Sequence, residues 1–176
     1  MGQREVTLEE VLAFRDEKAG TQTRLLEQDP SACVVSLGMN IPGPVKWNDD
    51  VRAAFEAGCA RLAQLISDLG GTLRQERVLL LPGGCADICL VSGVMPLECK
   101  RAAVRLEETH PLGRLFDLDV LDRDGLALSR EAVGAAPRRC LLCGGDAKAC
   151  GRSRAHSVPA LQEKTFGLIA AWRETP

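Results

Sequence analysis

Neither sign of charge dominates this chain, and no long apolar run interrupts it. Lysine and arginine number 22 against 24 acidic residues, a net charge of −2, so nothing in the overall balance recruits nucleic acid or an anionic membrane. The longest apolar stretches fall far short of the roughly 18 residues that span a bilayer. The amino terminus, MGQREVTLEE, is charged from its first residues and lacks the apolar core of a secretory leader. We therefore expect a cytoplasmic protein. Gly2 opens no myristoylation motif, because Val6 stands where Ser or Thr is required. A Walker-type phosphate loop, a nucleophile elbow, an internal repeat and a low-complexity tract are all missing, so P-loop and nucleophile-elbow chemistries are set aside. Any anion site must then be local.

What is there begins with length. A chain of 176 residues can bury the core of one domain without covalent staples. Its eight cysteines are accordingly not read as a disulfide framework. Cys33, Cys59, Cys85, Cys89 and Cys99 sit among apolar neighbours and read as small hydrophobes. Cys140, Cys143 and Cys150 do not.

Along the chain, Thr7-Leu8-Glu9-Glu10 has capping-box form and predicts a helix that ends before Pro30. Ser31 to Met39 is apolar and partly β-branched and predicts a buried strand, stopped by Ile41-Pro42-Gly43-Pro44. From Asn48, the residues Val51, Ala54, Phe55, Leu62, Leu65, Ile66 and Leu69 recur at helical spacing. Gly70-Gly71 ends that helix. Thr72 to Leu81 and Ala86 to Val91 then read as a hairpin. A helix follows from Pro96 to His110-Pro111. Arg114 to Leu121 reads as a strand, with a turn at Asp124-Gly125 and a short partner from Leu126 to Ser129. The order strand, helix, strand, strand, helix, strand is that of a ferredoxin-like split βαβ sandwich, an α+β fold. Residues 1–130 form the expected catalytic core, carrying the N-terminal helix. Residues 131–176 form an Arg- and Cys-rich C-terminal extension with a terminal helix, packed on the same domain.

Chemistry concentrates after His110. On a strand, Asp117 and Asp119 share one face while Phe116, Leu118 and Val120 share the other. Paired carboxylates repel unless a cation lies between them. Mg²⁺ takes one or two carboxylates and completes its shell with water and phosphates, which suits phosphoryl or nucleotidyl transfer. The alternative is an ordinary solvated sheet face. Asp122 and Asp124 read as turn residues, and Asp87 as a third carboxylate whose reach the sequence does not define. Arg114, Arg138 and Arg139 are candidate phosphate ligands, guanidinium being suited to bidentate contact. Cys140, Cys143, Cys150 and His156 supply four potential ligands within 17 residues. They would close a tetrahedral, structural Zn²⁺ site, or else are free thiols in a loop. His110, one of only two histidines, is either a general base or a cap at a helix end.

The run His110-Pro-Leu-Gly-Arg-Leu-Phe-Asp-Leu-Asp-Val120, then Ser129-Arg130, then Pro137-Arg-Arg-Cys-Leu-Leu-Cys143 with Cys150 and His156, resembles the apo-citrate lyase phosphoribosyl-dephospho-coenzyme A transferase family. The resemblance is strongest over this quarter of the chain, and the Pro42-Gly43-Pro44 segment also fits. It implies that a serine of the acyl-carrier (gamma) subunit of citrate lyase attacks 2'-(5''-triphosphoribosyl)-3'-dephospho-coenzyme A and that pyrophosphate leaves. It implies nucleotidyltransferase-type chemistry, with Asp117 and Asp119 as Mg²⁺ ligands. The Gly-Ser pair that precedes the Asp-x-Asp of better-known nucleotidyltransferases has no counterpart at that distance. Two other readings stay open. One is the equivalent transferase for the carrier of malonate decarboxylase; the other is a non-catalytic adaptor organised by zinc.

Overall fold

The computed structural model describes residues 4–175, so Gly2 lies outside it. Helix α1 (Leu8–Leu26) starts where the capping box puts it. The Thr7 hydroxyl accepts from the Glu10 N–H at 3.2 Å, and the Glu10 carboxylate takes the Thr7 N–H at 2.9 Å. Arg4 pairs with the same carboxylate and, with the Thr7 N–H, holds Glu10 down to a pKa of about 2. Helix α2 (Asp49–Asp68) is capped by Asn48, whose side chain accepts from the Val51 N–H at 2.8 Å. Its buried stripe includes Gly58, where an added Cβ would stand 3.0 Å from Phe116 and 3.1 Å from Leu37. A mid-helix glycine costs roughly 1 kcal/mol against alanine, and here it lets α2 lie close on the sheet.

The strands are β1 (Cys33–Met39), β2 (Thr72–Leu81), β3 (Gly84–Ser92) and β4 (Phe116–Leu121). They form a four-stranded sheet in the order β2-β3-β1-β4, each neighbour antiparallel. The central strand β1 is buried along nearly its whole length, and its one polar side chain, Ser36, accepts from buried Gln22 at 3.0 Å. Its Cys33, Val35 and Leu37 face α2, α3 (Pro96–Thr109) and the carboxy-terminal helix α5 (Val158–Arg173), which contributes Ile169 to that core. Val34 and the β3 residues Ala86, Ile88 and Leu90 face the other way, where α1 covers them with Leu25. The fold is α+β, with helices on both faces of an antiparallel sheet. No described helix is long and apolar enough to cross a membrane.

Two expectations change. Arg114 and Leu115 are not in β4, because residues 110–115 close a turn: the Gly113 N–H reaches His110 O at 2.8 Å and the Leu115 N–H reaches Leu112 O at 2.8 Å. A Cβ at Gly113 would stand 2.5 Å from Glu107 O, so this turn packs on the end of α3 more closely than any other residue allows. The partner strand expected from Leu126 to Ser129 reduces to one bridge, Leu121 to Ala127. Around it, the Leu128 N–H reaches Val120 O at 2.8 Å.

Candidate active site

Strand β4 is an edge of the sheet, and unpaired edges invite association unless covered. Side chains cover this one. Leu118 donates its N–H to buried Glu107 at 3.0 Å and accepts at its carbonyl from buried Lys100 at 3.0 Å. Phe116 O accepts from Arg138. Arg130 closes the group, 2.6 Å from the second oxygen of Glu107. Burial pushes the Glu107 carboxyl up, and Arg138 and Arg130 pull against that effect. The arginine-rich segment is thereby bolted to the acidic strand.

Asp117 and Asp119 lie on the α1 face of β4, as alternation demands. Asp119 is held by Lys18 of α1 at 2.7 Å. Asp117, half-exposed, lies 3.6 Å from the Arg138 guanidinium. Asp87 does not join them: it is 1% exposed and faces the α2 side of the sheet with Cys89. It belongs instead to a group with Glu76 and Cys89, whose ligand atoms lie within 4.8 Å of one another. His110 is also kept apart. Its ring packs on Phe116 at 5.0 Å and its Nδ1 accepts from the Leu112 N–H at 3.0 Å, on the α2 side of the sheet. Burial, then Arg61, lowers its pKa. Asp122 is a turn residue, accepting from the N–H groups of Asp124 and Leu126 at 3.0 and 2.9 Å.

Arg114, Arg138 and Arg139 come together with Arg154 around a cavity of about 590 Å³. Arg138 spends its fork on protein acceptors, whereas Arg139 is exposed. Arg114 donates to Arg139 O and tethers the segment. The cavity's far wall carries Cys140, Cys150 and His156. These join Cys143 in one cluster, all ligand atoms within 4.8 Å of one another. The hairpin that shapes it is local: Cys140 N–H to Gly145 O at 2.6 Å, Gly144 N–H to Cys140 O at 3.2 Å, and an Asp146 cap on α4 (Ala147–Ser153). Cys143 and Cys150 sulfurs stand 3.6 Å apart. The edge of a tetrahedron with zinc–sulfur bonds of about 2.3 Å is about 3.8 Å, so the spacing fits. His156 Nε2 is buried without a hydrogen-bond partner. The N–H groups of Cys143 and Leu142 draw the Cys140 thiol down to a pKa of about 6, favouring the thiolate that a metal requires.

A second cavity, about 430 Å³, opens beneath α1 with Asp117 in its lining. It contains Arg15, Lys18 and Lys46, none of which the sequence reading singled out. The available signal was slight: Arg15 and Lys18 are three apart, a spacing that puts them on one helix face.

Compared with known proteins, residues 6–172 match the model of a family described as apo-citrate lyase phosphoribosyl-dephospho-CoA transferase. A protein of that name from Escherichia coli O1:K1 / APEC is 33% identical over 164 residues, covering 93% of this chain and 88% of its own. One from Shigella boydii serotype 18 is likewise 33% identical over 164 residues, with the same coverage of 93% and 88%. A protein named as a probable transferase of this kind, from Vibrio cholerae serotype O1, is 35% identical over 159 residues, covering 90% of this chain and 89% of its own.

Proposed function

The chain belongs to the apo-citrate lyase phosphoribosyl-dephospho-CoA transferase family, and from that premise we propose that Asp117 marks the reacting centre of a nucleotidyltransferase-type reaction in the cytoplasm. The donor is a triphosphoribosyl-dephospho-CoA, and the acceptor is a serine of the citrate lyase acyl-carrier (gamma) subunit. The serine oxygen forms a bond to the α-phosphorus, and the bond from that phosphorus to the α–β bridging oxygen breaks. Pyrophosphate leaves with the electron pair, and the hydroxyl proton passes to solvent. One observation carries the reading: Asp117 lines the cavity beneath α1 and lies 3.6 Å from Arg138, which lines the arginine cavity. It thus stands where the two meet.

Two oxygen donors on one strand face suit Mg²⁺, which needs only one or two carboxylates from protein when phosphates supply the rest. Asp117 would hold the ion, with Asp119 behind it on Lys18. It would neutralise phosphate charge. Arg139 and Arg114 offer planar donors to phosphates elsewhere on the same donor molecule. The donor set of Cys140, Cys143, Cys150 and His156 suits a structural Zn²⁺, since four protein ligands leave no open position. The sulfur spacing and the partnerless His156 Nε2 support that assignment. The strand order and its two helical crossovers support reading the core as a ferredoxin-like split βαβ unit. Ile169 in the core supports packing of residues 131–176 on the domain of residues 1–130.

The test is direct. Purified protein, apo-carrier, donor and Mg²⁺ should raise the carrier's mass by one phosphoribosyl-dephospho-CoA group and release pyrophosphate, faster than with the carrier of malonate decarboxylase. No mass gain refutes the function. Full activity of folded Asp117→Ala, or activity in excess chelator, refutes the role given to the acid pair.

A further inference from the structure

The cavity beneath α1 is lined by three cations, and only one of them has an acidic partner among the described residues. Lys18 is neutralised by Asp119 at 2.7 Å. Among the described residues, neither Arg15 nor Lys46 has a carboxylate within 4.0 Å. Lys46 donates one N–H to Ile41 O at 2.6 Å, and an ammonium has two more. Half-burial and then the repulsion of Arg15 lower its pKa. Two like charges share one cleft of about 430 Å³, with Asp117 as the acid in its lining.

The cleft is built rather than incidental. Its floor is the end of β1 and the segment that follows, and its wall is α1, pressed against the β2–β3 turn. A Cβ at Gly83 would stand 2.2 Å from Glu10 O, and one at Gly84 would stand 2.7 Å from the Phe14 ring. Only glycines let the turn approach so closely, and the contact sets where Arg15 and Lys18 project. The arginine cavity on the other side of Asp117 has a different lining, adding Leu115, Leu141, Val158 and Leu161 to its guanidinium groups. Such a mixture suits a nucleoside and its pantetheine arm, whereas a cleft with unbalanced cations suits a compact polyanion.

We propose that Arg15, Lys18 and Lys46 form the subsite for the two terminal phosphates of the donor, the part that departs as pyrophosphate, while the arginine cavity holds the dephospho-CoA body. This rests on the transferase reading above. The donor then lies across Asp117, with its α-phosphorus at the junction of the two cavities. The attacking serine must enter opposite the cleft beneath α1, because the leaving group occupies that cleft.

Calorimetric titration of the intact protein with pyrophosphate, and separately with dephospho-CoA, tests the division without any turnover. Arg15→Ala and Lys46→Ala should each weaken pyrophosphate binding about tenfold or more, the effect of one lost charge-assisted hydrogen bond, and leave dephospho-CoA affinity unchanged. Lys46→Arg should restore much of the loss. Arg15 is exposed, so its variant keeps the measurement valid if Lys46→Ala does not fold. Absence of pyrophosphate binding in the wild type overturns the inference, as does unchanged binding in Arg15→Ala or a loss seen only in Arg139→Ala. A wild type that binds pyrophosphate but never modifies carrier would instead refute the transferase function and leave the subsite standing.

Discussion

Asp87 should make this protein less stable as pH rises from about 4 to about 6. The carboxyl is 1% exposed on β3, faces the α2 side of the sheet, and has the Cys89 thiol at 3.7 Å as its hydrogen-bond partner. Burial, and then the charge of Glu76, push its pKa from 3.8 up to about 6. In the unfolded chain the proton is lost near the ordinary value; in the folded chain it is kept until about pH 6. Over that interval the folded state binds more protons, so the slope of unfolding free energy against pH is negative. About two pKa units at 1.4 kcal/mol each give a loss of about 3 kcal/mol, complete above pH 7. Asp87→Asn removes the titrating group at nearly constant shape. Its stability relative to wild type should therefore rise by about 2–3 kcal/mol between pH 4 and pH 7.5, read from urea midpoints at each pH. Transfer activity should be retained, because Asp87 lies across the sheet from Asp117. Parallel stability curves for the two proteins would refute the reasoning, and a cation held by Glu76, Asp87 and Cys89 is the arrangement that would produce them.

Three further outcomes are expected. Protein purified without chelator should contain about one zinc per chain, and Cys143→Ser should lose it while amide exchange rises across residues 138–157 and not in β1; a zinc-free wild type with a protected hairpin contradicts this. Glu107→Ala removes the acceptor of the Leu118 N–H and the buried partner of Arg130, and should cost about 3–5 kcal/mol in urea unfolding, so a cost under about 1 kcal/mol would mean that solvent already serves this edge. Arg114→Lys keeps the charge but loses the planar fork, and should raise the KM for donor more than it lowers kcat; unchanged kinetics with a lowered melting temperature would leave Arg114 only as the tether to Arg139 O.

Much of the site was legible because its parts are local. The metal-type cluster lies within 17 residues and its hairpin closes over six, from Cys140 to Gly145. Spacing alone therefore brought Cys140, Cys143, Cys150 and His156 close. Alternation on β4 correctly put Asp117 and Asp119 on one face. The same rule explains why His110, near the acids in sequence, does not stand beside them: it packs on Phe116, which points the opposite way. Arg114 was misread as strand because the reason for its turn is the approach of Gly113 to Glu107 O, a packing event with no local pattern.

The amino-acid sequence by itself determined the capped helices, the apolar strands, the order in which they follow one another and the cysteine hairpin, since each depends on side chains a few residues apart. Tertiary structure alone decided that Lys18 would meet Asp119, 101 positions later. It also decided that Arg138 would bridge β4 to Glu107, and that Arg15 and Lys46 would share a cleft. The Lys18–Asp119 pair and the Arg15–Lys46 cleft depend on where α1 settles on the sheet. That position is set by burial of Leu25 on Ala86, Ile88 and Leu90 and by two glycines at a distant turn. Hydrophobic burial is non-directional, so an apolar face announces that it will be covered, and only the packed fold states which charges arrive with the cover.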